Sequence, residues 1–217
     1  MEKGAFQKLE DFFSKNKKIS YKKGETIIRP DEPVYNIYYL SKGYTRLYSI
    51  SKNAQELTFI IYKPEDFFPL IPAVNKTTAS YYTEAMTPVE VYPVSKDEFM
   101  KFITQNSDVL LEITKRTLTR FSGVLTRMEY AMFGNAGSKV ASIILICVDR
   151  FGVKHPLGIF IPVPLTHQDI ANLLGIARET VSIEMKKLEN LDLIDYQGKN
   201  MIVKSVDKLK EHSVIGA

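Results

Sequence analysis

The alternation of apolar and polar residues changes period twice along the chain. Between residues 19 and 94 the apolar positions come in short β-branched or aromatic runs: Ile27-Ile28, Ile37-Tyr38-Tyr39-Leu40, Leu47-Tyr48, Leu57 to Tyr62 and Val89 to Val94. Gly24, Pro30-Asp31, Gly43, Lys52-Asn53 and Pro64-Glu65-Asp66 punctuate them as turns. Many short strands at fairly even spacing predict an antiparallel sandwich or barrel. From about Ser95 the pattern turns helical, first over Lys96–Asn106 and then over a long stretch from Asp108 to Phe133.

Within the long stretch Leu111, Leu118, Phe121, Leu125, Met128 and Met132 are spaced 7, 3, 4, 3 and 4 residues apart. That is an a/d seam, interrupted only at Thr114. A seam of this length needs something to cover it. One reading packs it on the sheet of its own domain; the other pairs it with a second copy. The length favours the second, because a helix of 25 residues or so spans close to 40 Å and outruns a small barrel. Gly134-Asn135-Ala136-Gly137 then stops the helix as a C-cap does, and Ser138 is expected to N-cap the next one, whose apolar stripe is Val140, Ile143, Ile144, Cys147 and Val148. These breaks predict three parts: a β domain over 1–107, a central helix over 108–133 and a C-terminal domain over 134–217.

Residues 165–203 carry the most specific pattern. Thr166 reads as an N-cap with Asp169 three residues on, a variant capping box. Ile170, Leu173 and Leu174 give a first helix its buried face, Ala171 is small where a second helix must approach, and Gly175 permits a left-handed turn. A second helix follows from about Ala177 to Leu191, burying Val181, Met185 and Leu188. This is helix-turn-helix spacing. Such a turn lets two helices cross steeply, so that the start of the second can enter a major groove about 12 Å wide. Leu193 to Tyr196, the turn Gln197 to Asn200, and Met201 to Val203 read as the hairpin of a winged helix. The candidate DNA contacts are Thr166 and Gln168 toward phosphate, Ala177, Arg178, Glu179, Ser182 and Lys186 on the exposed face of the second helix, and Lys199 at the wing tip. Arg178 suits guanine O6/N7 and Glu179 suits cytosine N4.

Composition narrows the function. The chain has 217 residues, 45% hydrophobic and 25% charged, with a net charge of +4. Residues 1–133 hold 19 basic and 16 acidic residues and residues 134–217 hold 10 and 9, so no basic stripe supports the DNA reading; it rests on pattern. No apolar run is long enough to span a bilayer, and the start MEKGAFQKLEDFF lacks a signal-peptide core, which together point to a cytosolic protein. A single cysteine, Cys147, excludes an internal disulfide and an iron–sulfur site and reads as a small core residue. With no histidine before His155, a barrel enzyme of the metal-binding kind has no ligand set. No nucleophile–His frame, phosphate-binding glycine loop or paired-acid motif is present, so no catalytic residue, cofactor or metal is expected. A winged helix kept for protein contacts rather than DNA stays open as a third possibility.

The order of β-barrel, long self-pairing helix and winged helix resembles the CRP/FNR family of bacterial transcription factors over essentially the whole chain, most specifically at Ile170-Ala171-Asn172-Leu173-Leu174-Gly175-Ile176-Ala177-Arg178-Glu179-Thr180-Val181-Ser182. The resemblance implies an α+β fold: an N-terminal antiparallel β-roll or jelly-roll of the cyclic-nucleotide-binding kind, a central dimerisation helix and a C-terminal winged helix-turn-helix. It implies a homodimer that binds double-stranded DNA at a palindromic operator, contacts RNA polymerase and answers to an effector in the β-roll, with no membrane contact.

The departures from the family bear on the effector. The cyclic-nucleotide branch carries Gly-Glu after an Asp-Phe turn and an Arg-Ser pair before the next strand; here the two places read Asp66-Phe67-Phe68-Pro69-Leu70 and Ala79-Ser80. The Thr-Ser pair of the central helix falls on Val124-Leu125. An unpaired buried phosphate would cost several kcal/mol, so cyclic AMP is rejected. What is expected instead is a pocket lined by Phe59, Ile61, Phe67, Phe68, Tyr81, Tyr82, Phe121 and Leu125 for a small, partly apolar molecule, with Arg120 or Lys63 receiving a negative group; the alternative is a member that is active without any ligand. Ile183 stands where many members carry an arginine, and Glu184 where relatives often bury an aliphatic residue, so operator sequence does not transfer from the better-known branches.

Overall fold

In the computed structural model, which describes residues 3–214, the chain runs α1 (Lys3–Phe13), β1 (Ile19–Tyr21), β2 (Thr26–Ile28), β3 (Asn36–Lys42), β4 (Thr45–Ile50), β5 (Glu56–Tyr62), β6 (Phe67–Phe68), α2 (Leu70–Asn75), β7 (Tyr82–Ala85), β8 (Val89–Ser95), α3 (Lys96–Gln105) and α4 (Ser107–Met132). It continues α5 (Ala136–Phe151), β9 (Val153–His155), β10 (Gly158–Ile161), α6 (His167–Leu174), α7 (Arg178–Asn190), β11 (Ile194–Gln197), β12 (Asn200–Val203) and α8 (Val206–Glu211). Its contacts group into two units, Met1–Ser49 with Phe59–Ser122, and Ile50–Thr58 with Gly123–Ala217. The division therefore falls within α4 and takes the β4–β5 turn with the C-terminal residues.

The β-roll is two antiparallel sheets of order β1-β8-β3-β6 and β2-β7-β4-β5. Apolar periodicity of two fixes their faces. Helices α1 and α3 cover one face of the first sheet. Ala5, Leu9 and Phe13, four residues apart on α1, are buried there. Phe12 stacks on Phe102 at 4.0 Å, and Phe13 meets both Tyr39 and Phe99. The start of the chain, noted from sequence only for lacking a signal-peptide core, is thus a structural helix. Phe67 and Phe68 are adjacent and point oppositely: Phe67 meets Phe99, while Phe68 stacks against Tyr38 and Tyr62 at 5.8 and 5.0 Å.

Helix α3 starts where Ser95 Oγ accepts the Glu98 N–H at 3.2 Å. Helix α4 leaves Leu111, Leu118, Phe121, Leu125, Met128 and Met132 all exposed, Leu118 by 61% and Met132 by 71%. Thr114, the gap in the seam, bonds back to Leu110 O at 2.8 Å. The long helix ends before Gly134, which takes the left-handed conformation at φ 77.

Ser138 does not cap α5. Asn135 does, its Oδ1 accepting the Ser138 N–H at 3.0 Å. The short side chain immediately after the left-handed glycine reaches the first free N–H groups, and Ser138 becomes the third helical residue. The second unit's core joins Val140, Ile143, Ile144 and Cys147 of α5 to Ile170, Val181, Met185, Leu193 and Met201, all buried. Beneath the helices lies a four-stranded sheet of order β11-β12-β10-β9.

Candidate nucleic-acid interface

Thr166 begins the site. Its hydroxyl accepts the Asp169 N–H at 3.1 Å, and Asp169 Oδ2 accepts the Thr166 N–H at 2.8 Å, closing the capping box. Gly175, at φ 67, ends α6 and returns its N–H to Ala171 O at 2.8 Å. Ala171 is 1% exposed where the helices meet. α7 then starts with Ala177 as an N-cap that has no side chain to offer, so no side-chain cap meets its first N–H groups among the described residues. Ala177, Arg178, Glu179, Ile183 and Lys186 are exposed along this helix, while Val181, Met185 and Leu188 are buried beneath it.

The remaining candidates have individual settings. The Thr166 hydroxyl is committed to the capping box. Gln168 is exposed, and its Nε2 donates to Asn172 Oδ1 at 2.7 Å; Asn172 in turn donates to Glu56 Oε2 at 3.0 Å. Lys186 pairs with Glu189 at 3.1 Å. Ser182 is half-buried and lies 2.8 Å from His167 Nδ1, a residue that sequence reasoning passed over. The available signal was its place in the first turn of α6, facing α7.

Glu184 also has a use. It pairs with Lys187 at 2.8 Å, and its carboxylate reaches over Gly137 in the first turn of α5, where a β-carbon would come within 2.8 Å of it. An anion there is favourable to the helix dipole.

The wing is β11 and β12, with Gly198 at φ 64 and Lys199 exposed at the tip. Beside the turn Asn200 donates to Ile161 O at 3.1 Å and Pro162 O at 2.8 Å, and at the other end of the hairpin Lys204 pairs with Asp192 and Asp195. Burial pushes the Tyr196 hydroxyl up to about 12.

The eight residues expected to line an effector pocket lie in different settings. Phe67 and Phe68 are fully buried in the β-roll core, on opposite faces of β6. Ile60 and Tyr62 of β5 join that core, so Phe59 and Ile61, by alternation, point to the other face. Phe59 and Tyr81 are ring neighbours at 4.7 Å, and Tyr82 stacks on Tyr48 at 5.2 Å. Phe121 and Leu125 are exposed on α4.

Arg120 pairs with Asp66 at 2.5 Å and lies over the Tyr62 ring, so its charge is already met. The Lys63 N–H donates to the same carboxylate at 3.0 Å. Thr45 and Thr83 are wholly buried, and neither hydroxyl has a hydrogen-bond partner among the described residues. Among those residues no group of three or more His, Cys, Asp or Glu is placed to hold a metal ion, and no helix is long and apolar enough to cross a membrane. Burial pushes the Cys147 thiol up to about 12.

Comparison with known proteins fits this geometry. Residues 18–106 match the cyclic nucleotide-binding domain family, and residues 138–212 match the Crp-like helix-turn-helix domain family. The chain belongs to the CRP/FNR family of transcription regulators. This CRP/FNR member is 26% identical over 205 residues to the global nitrogen regulator of Nostoc sp. strain PCC 7120, covering 94% of this chain and 88% of that protein. It is 26% identical to the cAMP-activated global transcriptional regulator CRP of Pasteurella multocida, covering 90% of this chain and 93% of that one. The solved structure of FixK2 from Bradyrhizobium japonicum shares the fold, with a TM-score of 0.81 at 21% identity over 93% of this chain and 98% of that one. The CRP/FNR member is accordingly a DNA-binding transcription regulator, and its relatives are regulators rather than enzymes.

Proposed function

We propose that this regulator works in the cytoplasm as a homodimer joined along α4, placing two copies of α7 in successive major grooves of a palindromic operator and meeting RNA polymerase beside it. The observation that carries the reading is the α4 seam: six large apolar side chains at coiled-coil spacing, all exposed on a single chain. An apolar stripe of that kind is a surface for a partner helix. Arg178, Glu179, Ser182 and Lys186 then read base edges, the first N–H groups of α7 and Lys199 hold phosphates, and the capping box at Thr166 keeps the first helix in place. Selection of bound sequences from a random DNA pool tests this. An inverted repeat with half-sites about one helical turn apart supports it; a single unpaired half-site overturns it.

Control by a small molecule other than cyclic AMP is the first reading of the β-roll, since the places for the ribose carboxylate and the phosphate arginine read Asp66-Phe67-Phe68-Pro69-Leu70 and Ala79-Ser80. A second reading, activity without a ligand, is favoured by a specific observation. Tyr38, Phe68 and Tyr62 stack through the roll core, and Asp66 already neutralises Arg120. Operator affinity of protein refolded from denaturant and freed of small molecules separates the two. Full affinity supports the ligand-free reading; affinity restored only by a cell extract supports the effector.

A further inference from the structure

His167 stands one residue after the cap of α6, with its Nδ1 2.8 Å from the Ser182 hydroxyl on α7. Ser182 lies four residues after Arg178 and four before Lys186, so at 3.6 residues per turn it shares their exposed face. We propose that His167 is a positioning residue that fixes the polarity of the Ser182 hydroxyl and so selects which base edge is read at that step. The inference rests on the reading of α7 as the helix that enters the groove.

The argument is one of proton inventory. A serine hydroxyl has one proton to give and lone pairs to offer, and a neutral imidazole has one N–H and one bare nitrogen. In the proposed tautomer Nδ1 is bare, so Ser182 gives its proton to His167 and presents only oxygen lone pairs outward; the other tautomer, with Nδ1–H donating, would leave the serine proton outward and favour acceptor edges instead. Such an oxygen accepts from an amino group, adenine N6 or cytosine N4, and is repelled by the acceptor edges of guanine and thymine. Without the imidazole the hydroxyl is free to turn, and it donates or accepts with little preference. The neighbouring side chains do not substitute for this contact. Ile183 is exposed and has no hydrogen bond to give, and the Gln168 amide is engaged with Asn172.

The test is random-pool selection followed by binding to every single-base variant of the selected site, with wild type, Ser182→Ala, His167→Ala, His167→Asn and the His167→Ala/Ser182→Ala double variant. Asparagine places an amide oxygen as many bonds from its β-carbon as Nδ1 is, so it restores the acceptor. Wild type should prefer an amino-bearing base at one step by about three- to tenfold. Ser182→Ala and His167→Ala should each flatten that step alone, the double variant should do no more than either, and His167→Asn should keep the preference. A preference that survives His167→Ala, or that falls independently in the two single variants, overturns the proposal. So does loss of it in folded His167→Asn protein, a readout that stands even where the alanine variant does not fold. Wild type that selects no sequence at all overturns instead the reading of α7 on which this rests.

Discussion

Leu118→Asp separates self-association from folding. In the single chain Leu118 is 61% exposed, so the substitution removes no core contact from the fold itself. In a dimer joined along α4 the same side chain is covered, once from each protomer. Fully burying a leucine is worth about 1.5–3 kcal/mol, and the part still exposed here amounts to about 1–2 kcal/mol per protomer. Two protomers therefore lose about 2–4 kcal/mol, before any cost of placing two carboxylates face to face across the seam. That is a rise in the dimer dissociation constant of roughly 30- to 1000-fold. Sedimentation velocity across a dilution series reads the shift directly, and urea unfolding of the dissociated protein should be nearly unchanged. Thr119→Asp, one residue on and off the seam, is the control and should leave association alone. Unchanged sedimentation of Leu118→Asp, or equal loss from Thr119→Asp, would refute the coiled-coil reasoning.

Four further outcomes are expected. Arg178→Ala should cost about 1–3 kcal/mol on the selected operator and much less on random DNA in a titration at fixed salt; equal loss on both would reduce Arg178 to a phosphate contact. Thr45→Val or Thr83→Val removes a wholly buried hydroxyl that has no partner among the described residues, and should raise stability by about 1 kcal/mol in urea melts; a loss of stability would mean the hydroxyl is used. Cys147 should resist thiol reagents in the native protein at pH 8 and react once unfolded. Its thiol is raised from 9.0 to about 12 in the fold, so in that alkaline window the unfolded chain releases a proton the native one keeps, and stability falls as pH rises; Cys147→Ala should lessen that fall, and identical pH profiles would contradict the burial argument. Thr166→Ala should destabilise the C-terminal unit by about 1 kcal/mol through loss of the capping box, measured by thermal melting.

The helix-turn-helix could be read from sequence because each of its parts is local. The Thr166/Asp169 box, Ala171 and Gly175 act over a few residues, and the structure realises each of them at the expected position. The long helix was legible for the same reason, its seam repeating every seven residues. What required the structure was non-local. The β5 run from Leu57 to Tyr62 is apolar on both faces, so alternation alone does not say which side meets the roll interior, and a one-residue offset exchanges Phe59 and Ile61 for Ile60 and Tyr62. The two-residue strand at Phe67–Phe68 is too short to show a period. α1 shows a clear stripe at Ala5, Leu9 and Phe13, yet nothing in it names the α3 and β3 aromatics that receive it. The β9 and β10 strands flank the turn Pro156-Leu157 and are too brief to announce themselves. His167 drew no notice because its partner is fifteen residues away on another helix.

Asn200 ties the wing to the carbonyls of Ile161 and Pro162, just ahead of α6. The flap and the helical pair therefore share one footing. In the proposed binding mode a tilt that lifts one lifts the other, so the grip on the sugar-phosphate rails and the inspection of the letters between them would stay in step, with the Asn200 amide stiffening a joint that the β10–β12 ladder already makes.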